Sequence, residues 1–97
     1  MVIKREISGR NLRYLLTHHL LDGGRPASIR ELVGVVDRAG FVLCGRPSKA
    51  VSDALRRDVT MGRVVRLSRG WYGPGRMPKQ TRSWRRQAIR AFRGETA

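Results

Sequence analysis

The sequence predicts a mainly α-helical domain with one small β-hairpin: three helices, then the hairpin, then an extra C-terminal helix. Three observations predict it. Apolar residues recur at helical spacing in three segments before residue 60. A β-branched run from Arg63 to Leu67 follows, and a Ser68-Arg69-Gly70 turn separates it from Trp71 and Tyr72. A last periodic segment comes after breaks at Pro74, Gly75 and Pro78. At 97 residues there is room for one compact domain with a modest core. The 40 % hydrophobic fraction, with two Trp, suffices to offset chain entropy. The expected organisation is an N-terminal arm (1–10), a domain (11–73), a Pro/Gly linker (74–80), a basic amphipathic helix (81–93) and a tail (94–97).

In the first helix Leu12, Leu15, Leu16 and Leu20 share helical spacing, and Ser8 or Asn11 serves as the cap. Asp22, Gly23, Gly24 and Pro26 end it. Ser28 with Glu31 forms a capping box ahead of Ile29, Leu32, Val33 and Val36, with Arg38 in the last turn and Gly40 beyond. Phe41 to Leu43 form either a short extended link or an anchor for the turn. Pro47 and Ser48 open the third helix, where Val51, Leu55 and Val59 line one face with Ala54 beside them. The opposite face carries Lys49, Ser52, Asp53, Arg56 and Thr60, with Arg57 at its margin and within one turn of Asp53. In the hairpin, Val65 and Leu67 alternate with Arg66, and Arg66 and Arg69 are expected to be exposed. The last helix pairs an apolar stripe of Trp84, Ala88, Ala91 and Phe92 with an opposite, outward stripe of Arg82, Arg86, Arg90 and Arg93.

Charge narrows the function. The net charge is +14, and residues 63–97 hold ten basic side chains against one acid, whereas residues 1–62 hold 11 against 6. Such a field repels itself, so a polyanion that releases condensed counterions is its natural partner. Eighteen of the 21 cations are Arg, whose fork suits phosphate oxygens and the guanine edge; a GC-rich genome gives the same bias. The plain alternative is a surface charged for solubility.

Other classes find little support. Cys44 is alone, which excludes an internal disulfide, and only Arg46 stands near enough in sequence to favour its thiolate, so an inert thiol is expected. Adjacent His18 and His19 point about 100° apart on a helix and do not share a metal. No phosphate-binding glycine loop, close carboxylate pair or nucleophile with a base emerges, so neither enzyme activity nor a cofactor is expected. No apolar run approaches the roughly 20 residues of a bilayer span, and the first ten residues lack the apolar stretch of a secretion signal. A cytoplasmic protein is expected.

Residues 46–73, RPSKAVSDALRRDVTMGRVVRLSRGWYG, resemble the recognition helix and wing of the winged helix-turn-helix superfamily, and the likeness extends over roughly residues 11–73. Its most specific part is GRVVRLSRGWY: a glycine ending the helix, alternating apolar residues, a basic glycine turn, then an aromatic closing the wing. The Pro-rich link and last helix are similar to those of small actinobacterial proteins of this type. The resemblance implies that the third helix enters the DNA major groove and that the wing touches the backbone or minor groove. By position it assigns base reading to Lys49, Ser52, Asp53 and Arg56, with Arg57 beside them, and wing contacts to Arg66, Arg69 and Arg63. One departure is the seven residues, 40–46, between the second and third helices, where the simplest helix-turn-helix has three or four. Their length implies an altered crossing of those helices.

Within that reading Asp53 either accepts from cytosine or orients Arg57, and the second is favoured. Trp71 either completes the core or stacks on a base. Arg82, Arg86 and Arg90 offer a second contact with the DNA backbone. The last helix either packs on the domain or pairs with another subunit through Trp84, Ala88 and Phe92. The leading expectation is a sequence-specific bacterial regulator of transcription that binds duplex DNA. A nucleoid-type architectural protein with little sequence preference is the first alternative, and an adaptor binding protein or RNA the second.

Overall fold

A computed structural model describes residues 4–94. Four helices are joined by two small sheets, in the order β1 (Arg5–Ile7), α1 (Gly9–Gly23), β2 (Ala27–Ser28), α2 (Ile29–Arg38), β3 (Phe41–Leu43), α3 (Pro47–Thr60), β4 (Val64–Ser68), β5 (Trp71–Pro74) and α4 (Lys79–Arg93). The structure is mainly helical, and its larger sheet is three-stranded and antiparallel in the order β2-β5-β4. The three predicted helices, the hairpin and the C-terminal helix all form.

Local chemistry accounts for most boundaries. The Ser28 hydroxyl accepts from the Glu31 amide at 3.1 Å and caps α2. Pro47 occupies the first turn of α3, where its missing N–H is no loss. Leu16, Leu20, Leu32, Val36, Val51 and Leu55 interlock as the fully buried centre, with Val64 beneath the hairpin. This apolar burial is the main source of stability.

Two expectations at the N-terminal side change. The described part of the expected 1–10 arm is tied to the domain: Arg5, Glu6 and Ile7 pair in parallel with Phe41, Val42 and Leu43, Ile7 is buried in the core, and Gly9 already begins α1. The extra residues between α2 and α3 are therefore a strand, which explains the long connection. Residues 1–3 of the arm, and 95–97 of the tail, lie outside the described residues.

The 74–80 linker is also pinned. The Gly75 amide donates to the Arg63 carbonyl and the Arg76 amide to the Gly62 carbonyl, each at 3.0 Å. A Cβ on Gly75 would collide with the Gly62 carbonyl, so the close approach of the two segments requires glycine there.

In the hairpin the alternation differs from expectation. Val64 faces the core, while Val65 and Leu67 are exposed on the outer face, where Leu67 covers Gly73. Trp71 is 44 % exposed, and neighbouring Tyr72 fills the core position instead. The aromatic that closes the hairpin onto the body is thus Tyr72, not Trp71.

α4 packs on α1 through Arg85 and Ile89, with Ala88 and Phe92 partly covered. Phe92 meets Phe41 edge-on at 6.0 Å, and Arg5 donates to the Phe92 carbonyl at 2.9 Å. The helix is rotated from the expected orientation. Trp84, assigned to the buried stripe, is 56 % exposed and touches Tyr14 by its edge.

Beneath α4 lies a buried ion cluster that was not among the expected features. Both Asp58 carboxylate oxygens accept from Arg85, at 2.7 and 3.2 Å, and one also accepts from the Thr17 hydroxyl at 2.7 Å. Arg63 adds a longer contact at 3.4 Å. Burial alone would push the Asp58 carboxyl up, but the Arg85 and Thr17 hydrogen bonds hold it below the ordinary carboxylate range.

Candidate nucleic-acid interface

On α3 the buried positions Val51, Leu55 and Asp58 turn the other side of the helix outward. Lys49, Ser52 and Arg56, spaced by three and four residues, form one stripe on that side. The hairpin reaches the same region. Its turn needs a left-handed residue, supplied by Gly70 with φ of 79°. The Gly70 carbonyl accepts from the Ile29 amide at 2.9 Å, and Ser28 pairs with Trp71, so the hairpin tip is tied to the start of α2.

The result is an open groove of about 460 Å³ between the N-terminal half of α3 and the hairpin. Arg46, Lys49, Ser52, Arg66 and Arg69 line it, and Ile29 and Tyr72 form part of its wall. Four cations converge there, and none of the lining residues is acidic. The side chains of Arg46, Arg66 and Arg69 have no hydrogen bond or ion pair among the described residues. Arg46 was not among the expected contacts. Its signal in the sequence is its position directly ahead of Pro47, at the helix end that faces the hairpin.

The remaining expected contacts are distributed differently. Arg56 is exposed along the same stripe but donates to Asp53 at 3.0 Å, and Lys49 donates to the other Asp53 oxygen at 2.7 Å. Asp53 therefore steadies Lys49 and Arg56, and not Arg57 as expected. The Lys49 hydrogen bond, aided by the nearby Arg56 charge, lowers its pKa. Arg57 is exposed but lies outside the groove.

Arg63 is not a hairpin surface contact. It is half-buried and turned toward Asp58, whose backbone carbonyl also accepts from the Arg63 amide at 2.8 Å. Arg82 and Arg86 are not free outward cations either, since both donate to Asp22, at 2.6 and 3.1 Å. Burial would raise the Asp22 pKa, but the Arg82 hydrogen bond and the Arg86 charge hold it down. Arg90 is exposed on α4 and belongs to a different concavity.

Cys44 is exposed, and its thiol donates to Glu6 at 3.4 Å, which raises its pKa and disfavours the reactive thiolate. Among the described residues no group of three or more His, Cys, Asp or Glu could hold a metal ion. Among them, too, no helix is long and apolar enough to cross a membrane. No protein-family model, curated protein or solved structure matches the chain.

Proposed function

We propose that this chain binds double-stranded DNA as a winged helix-turn-helix protein, with α3 in the major groove and the β4–β5 hairpin as the wing on the backbone or minor groove. The observation that carries the reading is the shared groove: Lys49 and Ser52 of the helix and Arg66 and Arg69 of the hairpin line one concave cationic surface. The element order supports it, since a short strand between the first two helices joins the hairpin in one sheet. In this arrangement Arg46, Arg66 and Arg69 neutralise phosphates, while Lys49, Ser52 and Arg56 face base edges. The role that follows is a sequence-specific regulator of transcription.

A second reading, an architectural protein with little sequence preference, draws on the Asp53 contacts. Lys49 and Arg56 are both held by one carboxylate, which offsets part of the positive charge that either presents to DNA. The free arginines carry no such offset and bind any phosphate backbone.

Titration of random and selected duplexes across salt concentrations separates the two. Phosphate contacts by the three free arginines give a slope of at least about −3 in log K against log salt. A regulator keeps a preference of about a thousandfold or more for its site near physiological salt, whereas an architectural protein shows almost none. Absence of duplex binding at low salt refutes both readings and leaves the adaptor.

A further inference from the structure

A second concave surface lies between α1, the C-terminal end of α2 and α4, and shares no residue with the groove above. It measures about 420 Å³, within the range of small-molecule sites. Its floor is apolar, from Leu15, Val35 and Ile89, and its rim carries Arg38, Arg86 and Arg90. The one acid lining it, Asp22, already accepts from Arg82 and Arg86. Arg38 and Arg90 are exposed, and their side chains have no hydrogen bond or ion pair among the described residues. Positive charge therefore exceeds negative around an apolar floor.

His18 offers a reporter for this surface. It lines this concavity and is only 4 % exposed, yet neither Nδ1 nor Nε2 has a hydrogen-bond partner. Buried polar atoms are rarely left so, and these two lie beneath the surface of the concavity and do not open into it. Burial lowers the His18 pKa and the Asp22 charge opposes this, while Arg86, Arg85 and Arg82 lower it further, so the ring is neutral near pH 7. Both ring nitrogens are closed to solvent. A bound anion would therefore reach the ring through its field and not through direct contact.

We propose that this groove binds a small phosphate ester, with Arg38, Arg86 and Arg90 on the phosphate and the organic part on Leu15, Val35 and Ile89. Charge favours a phosphate monoester over a carboxylate, since it carries about −1.5 to −2 near neutral pH. The floor favours a small molecule over the DNA backbone, because a phosphodiester strand presents single charges and no apolar part to cover those three side chains. The site is independent of the DNA reading and stands or falls separately from it.

The test titrates the full chain with phenyl phosphate, inorganic phosphate and benzoate, followed by calorimetry and by NMR of backbone and His ring resonances. Phenyl phosphate is expected to bind more tightly than either partial probe, to shift Leu15, Val35 and Ile89, and to raise the His18 pKa. Arg38→Gln with Arg90→Gln should weaken it about tenfold or more without changing the circular dichroism melt. Lys49→Gln with Arg69→Gln should leave it unchanged. Equal affinity for inorganic phosphate, or shifts confined to the α3–hairpin groove, would overturn the proposal. So would a pair of arginine changes that weakens duplex DNA in a chain that does not bind phenyl phosphate.

Discussion

Replacing Arg85 with Met isolates the strongest buried interaction in the molecule. Asp58 is fully enclosed and Arg85 nearly so, and the change leaves the carboxylate with Thr17 and the longer Arg63 contact only. Breaking one side of a buried ion pair costs about 3–5 kcal/mol, and the remaining contacts place this case near the lower figure. The guanidinium also lies 4.4 Å from the Tyr14 ring centre, which adds about 1 kcal/mol. The loss of about 4 kcal/mol compares with a total of roughly 5–15 kcal/mol for a domain. With a urea m-value of about 1.5 kcal/mol/M, the unfolding midpoint falls by roughly 2–3 M. The pH dependence is the sharper signature. In the native chain the folded Asp58 pKa lies below the unfolded value, so its stabilisation is present above the unfolded pKa and disappears as pH falls through the folded one. Without Arg85, burial dominates and lifts the folded pKa, so the variant suffers at neutral pH and is relieved as Asp58 takes up a proton. Urea titrations at pH 7 and about pH 3 should show a gap between the two proteins that narrows in acid. Asp58→Leu combined with Arg85→Met should be less damaging than either change alone, since no buried charge is left unpaired. A loss under about 1 kcal/mol at pH 7, or an equal gap at both pH values, would refute this account of the cluster.

Further outcomes follow from individual contacts. Ser28→Ala removes the cap of α2 and should cost about 1 kcal/mol, read as a fall of roughly 4–8 °C in Tm. Gly75→Ala forces Gly62 and Arg63 apart and should cost about 2 kcal/mol, measured by the same melt; no change would show that this approach relaxes freely. Asp53→Ala releases Lys49 and Arg56, and should tighten random duplex several-fold at low salt with a steeper salt slope; unchanged affinity would exclude both cations from the contact. Arg69→Ala should weaken every duplex alike and reduce the salt slope by about 0.9, whereas Arg56→Ala should narrow the gap between selected and random sites. Equal, uniform losses from both would end the division between backbone and base contacts.

Much of this architecture is legible from local pattern because local pattern causes it. The leucines of α1, the Ser28 cap and the Ser-Arg-Gly turn each act over a few residues, and each forms where its spacing predicts. Most of the differences involve partners distant in sequence. Arg5–Ile7 is too short to announce a strand and becomes one only by pairing with Phe41–Leu43. Arg85 lies outside the expected outward stripe of α4, and its burial depends on Asp58, 27 positions away. One clue to that pairing was present: Asp58 follows Val51 and Leu55 at spacings of four and three, which places an acid on the apolar face of α3. Following Val59 as the next inward residue concealed it, and with it the orientation of α4. The hairpin facing differs for a related reason, since Val64 and Val65 are adjacent and alternation alone does not say which of them points inward.

The acids explain which cations remain for function. Asp22 holds Arg82 and Arg86, Asp37 holds Lys4, and Asp58 holds Arg63 and Arg85. In each case the two partners come from different elements or cross a chain turn, so the ion pair fixes how those pieces sit together. Asp53 is different, because Lys49 and Arg56 lie on its own helix and the contact orients exposed side chains without joining elements. A net charge of +14 therefore overstates what any ligand meets, and the distribution of a few carboxylates does more than the total to define the surface. Arg46, Arg66 and Arg69 escape pairing on one concavity, and Arg38 and Arg90 on another. Unpaired guanidinium groups that line one concavity repel one another, and this chain tolerates that at both places. An anion bound at either removes the repulsion, so each groove should grow more stable when filled, and ligands at the two should raise Tm independently if the sites are distinct.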